Sequence, residues 1–148
     1  TIIFMKIYND IRKYISYASF FFIIITLLGC STAYQKAGLT GGYSETQLNK
    51  NVFRVSFAGN GFTGGQTVYD FTMIRSAELT LSNNYKYFTI NNEESKNIVY
   101  GSADDLDTKP ITHFKIHMFK ELPNDDSAID AGFICSNLAP KYDIKCNF

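Results

Sequence analysis

Two segments alternate apolar and polar residues, over 53–57 and 113–118, and this period of two limits the fold more than any other feature. In VFRVSF, residues 52–57, Phe53, Val55 and Phe57 share one face and Val52, Arg54 and Ser56 the other. In ITHFKIHMFK, residues 111–120, Phe114, Ile116 and Met118 point one way, and His113, Lys115 and His117 the other. Strands of this kind belong to an antiparallel sheet with one face covered and one in water.

The cover is expected from two helices. Residues 66–82 place Phe71, Ile74, Ala77 and Leu81 on one face at helical spacing. Asn83-Asn84 stops that helix, because Asn tolerates the left-handed cap. Residues 127–138 predict a second helix, with Ala131, Ile134, Cys135 and Leu138 together. SETQL, residues 44–48, pairs with VFRVSF across Asn49-Lys50-Asn51 as a hairpin. YKYFTI, residues 85–90, reads as a strand, NEESKN as a turn, Ile98–Tyr100 as a short strand and SADDLDTKP as a loop. YDIKCNF alternates, with Tyr142, Ile144, Cys146 and Phe148 on one face, and predicts a last strand. The fold class is α+β: a two-layer sandwich of about four or five antiparallel strands with two helices on one face. The core order, strand-helix-strand-strand-helix-strand, is that of a split β-α-β, ferredoxin-like fold.

A dinucleotide site is the first function to test. Gly59-x-Gly61-x-x-Gly64 stands between a strand and a helix. A dinucleotide loop follows a buried parallel strand and needs an acidic residue about twenty positions on. Arg54 and Ser56 interrupt the strand, and Asn91-Asn92 stand where the acid should be, so no cofactor is expected. The glycines are read instead as a turn that permits positive φ, with Thr63 or Thr67 capping the helix.

The N-terminus predicts where the protein resides. Lys6, Arg12 and Lys13 precede the apolar run ISYASFFFIIITLLG, residues 15–29, which ends at Cys30. A basic start, a short apolar run and a small residue at the cut describe a secretory signal, residues 1–29. Met5 is the expected start. Leu27-Leu28-Gly29-Cys30 resembles the bacterial lipobox, which implies cleavage before Cys30 and a diacylglycerol and palmitate on its sulfur. Ser31 at the next position implies sorting to the outer membrane, facing the periplasm. Residues 30–42 are expected to be a flexible tether and 43–148 a single globular domain. Loss of residues 1–29 takes the basic and acidic counts from 14 and 14 to 11 and 13, a formal charge of −2. A mildly acidic, tethered domain is a poor match for nucleic acid.

The remaining chemistry is sparse. In an oxidising compartment Cys135 and Cys146 are expected to pair. The alternative, a zinc site, has no CxxC or nearby His to support it. His113 and His117 lie about 13 Å apart along one strand, too far to share a metal, and are expected in solvent. Asp104, Asp105 and Asp107 lack the glycine and distal glutamate of a calcium loop. No serine sits in a nucleophile motif. Arg75 and Glu78, three apart inside the apolar arc of the first helix, are either a structural ion pair, shared with Arg54, or the polar centre of a ligand pocket.

CSTAYQ, GGYSETQL, FRVSFAGNGFT, IRSAELTL and YKYF, in that order, resemble a family of small uncharacterised proteobacterial envelope lipoproteins. The resemblance covers residues 30–90. Where the family often has Gly before the Tyr that follows the helix, this chain has Asn84. The resemblance implies a membrane anchor and no catalytic residue. The expected function is a non-enzymatic binding or structural module of the envelope, whose partners are the membrane, through Cys30, and envelope proteins or cell wall. The alternative is a periplasmic enzyme or small-ligand-binding protein using a pocket near Arg75 and Glu78.

Overall fold

The computed structural model describes residues 12–14, 17, 30–102 and 105–148. The chain divides into two units, Thr1–Cys30 and Ser31–Phe148. In the first, residues 12–14 and 17 are helical. The rest of the expected leader, including nearly all of its apolar run, lies outside the described residues. Among the described residues no helix is long and apolar enough to cross a membrane.

The second unit contains β1 (Gly42–Asn49), β2 (Val52–Ala58), α1 (Gly65–Ser82), β3 (Tyr87–Ser102), β4 (Asp105–Phe119), β5 (Ile129–Asp130) and α2 (Ala131–Asn137), followed by a 3-10 turn over Ala139–Tyr142. The sheet is antiparallel, in the order β1-β2-β4-β3-β5. Its alternation is the one the sequence dictates. Val55 pairs with Phe114, Phe53 with Ile116 and Phe88 with Met118, and all six are buried on the inner face. Beneath them α1 buries Val68, Phe71, Ile74 and Ala77. Thr72, Ser76 and Thr80 are also fully buried, and each hydroxyl donates at 2.8 Å to the carbonyl four residues back. The helix thereby satisfies its own polar stripe and can be covered on more than one side. It ends where expected, with Asn84 at φ 62° in the left-handed cap.

The strands β2, β4 and β3 stand in the split β-α-β arrangement, with β4 inserted between the two strands that α1 connects. The fourth core strand is absent. Residues 142–148, predicted as a strand, form the end of the 3-10 turn and a tail without ladder bonds. The edge of β2 that such a strand would use is occupied by β1. Tyr142, Ile144 and Cys146 are still half-buried against Phe57, Val68, Phe71 and Ile74. The alternation therefore reported burial and not pairing.

Three other expectations are corrected. NEESKN is not a turn. A bulge between Ile90 and Asn92 lets β3 continue to Ser102, and residues 105–110 of SADDLDTKP belong to the returning strand rather than a loop. Their far part, beyond the Ala58–Ile111 pair, is a two-stranded ribbon of β3 and β4. The second helix begins at Ala131, not residue 127. Asp130 caps it by accepting from the Phe133 amide at 3.0 Å, while Ile129 pairs with Phe88 as β5. Finally, residues 31–42 are no tether. Thr32 is buried, Tyr34 packs on Phe57 and Phe71, and Lys36 and Gly38 bridge to Tyr43 and Gly41.

Positive φ is found at Gly41 and Gly42. A Cβ on Gly41 would stand 2.2 Å from the Ala58 carbonyl oxygen, so only glycine lets the docked segment close on β2. At Gly59 the need is space: a Cβ would meet the Thr63 Cβ at 2.7 Å. Neither Thr63 nor Thr67 caps α1. Gly64 is the cap residue and no side chain bonds there. Thr63 instead faces the docked segment.

Candidate functional site: a carboxylate holding both ends of the domain

Arg75 and Glu78 face the same side of α1, where β1 crosses it. Strand alternation puts Tyr43 and Glu45 on the inner face of β1, opposite Phe57 and Val55. The Arg75 guanidinium is consequently enclosed. Its Nη2 lies 3.0 Å from Glu45 Oε1, its Nε 3.3 Å from Glu45 Oε2, and its Nη1 2.9 Å from Glu78 Oε2. The Tyr43 ring sits 4.3 Å below the cation, a cation–π contact. Arg54 is not part of this group. It stands at an even position of β2, on the opposite face of the sheet, level with Thr46 and Lys115.

Glu78 is the deepest member, with a side chain 3 % exposed. Its Oε2 also accepts the Tyr34 hydroxyl at 2.6 Å, and its Oε1 accepts the Asn147 amide at 3.1 Å. One carboxylate on α1 thus binds the docked N-terminal segment and the C-terminal tail together. Burial, then the hydrogen bond to Glu78, push the Tyr34 phenol well above its ordinary range, so it stays a donor. Burial alone would lower the Arg75 guanidinium, but its bonds to Glu45 and Glu78 outweigh that and hold it charged. A second tie lies nearby, where the Tyr142 hydroxyl donates to Asp70 at 2.6 Å.

A cleft of about 320 Å³ opens beside the group, lined by Tyr34, Tyr43, Arg75, Glu78, Asp143 and Lys145 among others. Both oxygens of Glu78 and both ends of the guanidinium already have partners. The arrangement is that of the structural ion pair, enlarged to a clamp. A wider cleft, about 490 Å³, lies between the start of α1 and the β3–β4 ribbon, where the Tyr69 hydroxyl meets Glu93 at 3.4 Å. Among the described residues no group of three His, Cys, Asp or Glu side chains could hold a metal.

The histidines share the outer sheet face as expected, but neither is simply solvated. His117 is tilted over the Phe119 ring at 4.5 Å. Nδ1 of His113 is buried without a partner. Burial lowers the His113 pKa below its usual value, with Lys96 and Arg54 acting the same way and Glu94 opposing them.

Cys135 and Cys146 form a disulfide with Cα atoms 5.8 Å apart. The bridge joins α2 to the tail rather than to a strand. Cys30 lies outside it and is exposed. Alternation could have assigned Tyr43 and Glu45 to the inner face of β1. Tyr34 and Asn147 carried no comparable signal, because one lay in a presumed tether and the other in a presumed strand. No protein-family model, no curated protein and no solved structure matches this chain.

Proposed function

We propose that the chain is a lipid-anchored module of the bacterial envelope, held by an acylated Cys30 and facing the periplasm from the outer membrane. The observation that carries this reading is the position of Cys30. It follows Leu27-Leu28-Gly29, is exposed, and immediately precedes the first residues of the folded unit. A signal peptidase and an acyltransferase could therefore work there without opening the domain. The Cys135–Cys146 bridge supports an oxidising compartment. The role is binding or structural and not enzymatic, toward envelope proteins or cell wall. The saturated partners of Arg75 and Glu78 weigh against a small-ligand or catalytic pocket at that point.

The test is Cys30→Ser in a cell that processes lipoproteins. Wild-type chain should incorporate labelled palmitate and begin at Cys30. The variant should accumulate as precursor without label. A variant processed and labelled like wild type removes the anchor from the reading.

A further inference from the structure

Turn tips normally carry Gly, Asn, Asp or Ser, whose backbone preferences suit them. Two turns of this domain carry large apolar side chains at the tip instead. Leu39 is fully exposed, at 107 %, in the turn Gly38–Gly41, which is closed by Gly38 N to Gly41 O at 3.0 Å and the reverse bond at 3.3 Å. Phe62 is 67 % exposed in the turn Asn60–Thr63, closed by Thr63 N to Asn60 O at 3.0 Å and by the Asn60 side chain on the Phe62 amide at 3.1 Å. Both side chains therefore stand on turns closed by hydrogen bonds.

Thr32 joins the two turns. Its hydroxyl donates to the Thr40 carbonyl at 2.7 Å and accepts the Asn60 amide at 2.9 Å, and its own amide donates to Thr63 Oγ1 at 2.8 Å. Leu39 neighbours Thr40 and Phe62 neighbours Thr63, so both apolar tips sit where the chain enters the fold. Only two peptide units separate Thr32 from Cys30, a Cα distance of at most about 7.6 Å. No spacer exists to lift this end of the domain from whatever holds Cys30.

We propose that Leu39 and Phe62 form a membrane-docking face that inserts into the bilayer interface beside the acylated cysteine and fixes the orientation of the domain. This rests on the lipid-anchor reading. Two apolar side chains are too few to bind a bilayer from solution. Next to an anchor their insertion becomes an intramolecular step at high effective concentration. Phe and Leu are among the side chains that interfacial segments bury at the boundary between headgroups and acyl chains.

The chain contains no tryptophan, which permits a single-indole test. Full-length protein carrying Phe62→Trp is made in a lipoprotein-processing cell, labelled with palmitate, and reconstituted into phosphatidylethanolamine–phosphatidylglycerol vesicles with brominated acyl chains. Phe133→Trp is the control: it is 63 % exposed on α2, which follows β5 at the sheet edge opposite β1. The indole from Phe62→Trp should emit at shorter wavelength and be quenched several-fold more than the control. Adding Leu39→Asp should reverse most of that difference. Palmitate incorporation with no quenching at position 62 overturns the docking face and leaves the anchor standing. Quenching at 62 without incorporation overturns the anchor and, with it, docking beside an acylated cysteine. Equal quenching at 62 and 133 means non-specific collapse onto lipid and also overturns the face.

Discussion

Glu78 shows how much a single side chain can be asked to satisfy. It is 2 % exposed, charged, and bonded to Arg75, Tyr34 and the Asn147 amide. Removing one member of a buried pair strands the charge of the other. Glu78→Gln should therefore lower unfolding stability by about 2–3 kcal/mol, the low side for such pairs because Glu45 stays on Arg75. Tyr34→Phe, which deletes one hydrogen bond to a charged group, should cost about 1–2 kcal/mol. Urea unfolding measures both, and a loss below about 1 kcal/mol for Glu78→Gln would show that solvent reaches the site. At this scale the sequence was legible where local spacing decides the contact. Arg75 and Glu78 are three apart on one helix, and their pairing follows from that. Their other partners lie 30 to 69 positions away, and no local pattern encodes such a distance. Arg54 was assigned to the group on charge alone, against the parity of its own strand.

Elements were legible when burial and hydrogen bonding agreed and were misread when they separated. In VFRVSF and ITHFKIHMFK the covered face and the ladder coincide. In YDIKCNF a tail lying on α1 exposes every second side chain to the core just as a strand would, yet makes no ladder. The error was the reverse in NEESKN, which is paired but exposed, so no apolar alternation marked it. That ribbon has a physical consequence of its own. Beyond Pro110, whose carbonyl accepts the Gly59 amide at 2.8 Å, β4 has no strand neighbour but β3 among the described residues. A lone two-stranded ribbon is marginal in water. Amides of residues 96–102 and 105–109 should exchange hydrogen orders of magnitude faster than those of 112–118, which have β2 on one side and β3 on the other. Peptide-resolved exchange measures this. Equal protection along β4 would mean that something not described here covers the ribbon.

The whole unit is closed by contacts between its ends rather than by its sheet alone. The Cys135–Cys146 bridge spans 11 positions and ties the tail to α2. Its reduction should cost about 3 kcal/mol by the chain-entropy estimate for so short a loop. Thermal or urea unfolding with and without reductant measures the loss, and intact mass should rise by two hydrogens. No change in stability would indicate that the tail is held fully by Ile144, Tyr142 and Asn147. The same closure sets an order of events during synthesis. A ribosome makes Tyr34 and Arg75 early, but Asn147 is made 69 residues after Glu78. Until then Glu78 lacks one of its donors, and the aromatic cluster of Tyr34, Phe57 and Phe71 lacks Tyr142. The nascent chain therefore cannot complete the contacts of Glu78 and of this aromatic cluster until Tyr142 and Asn147 have appeared.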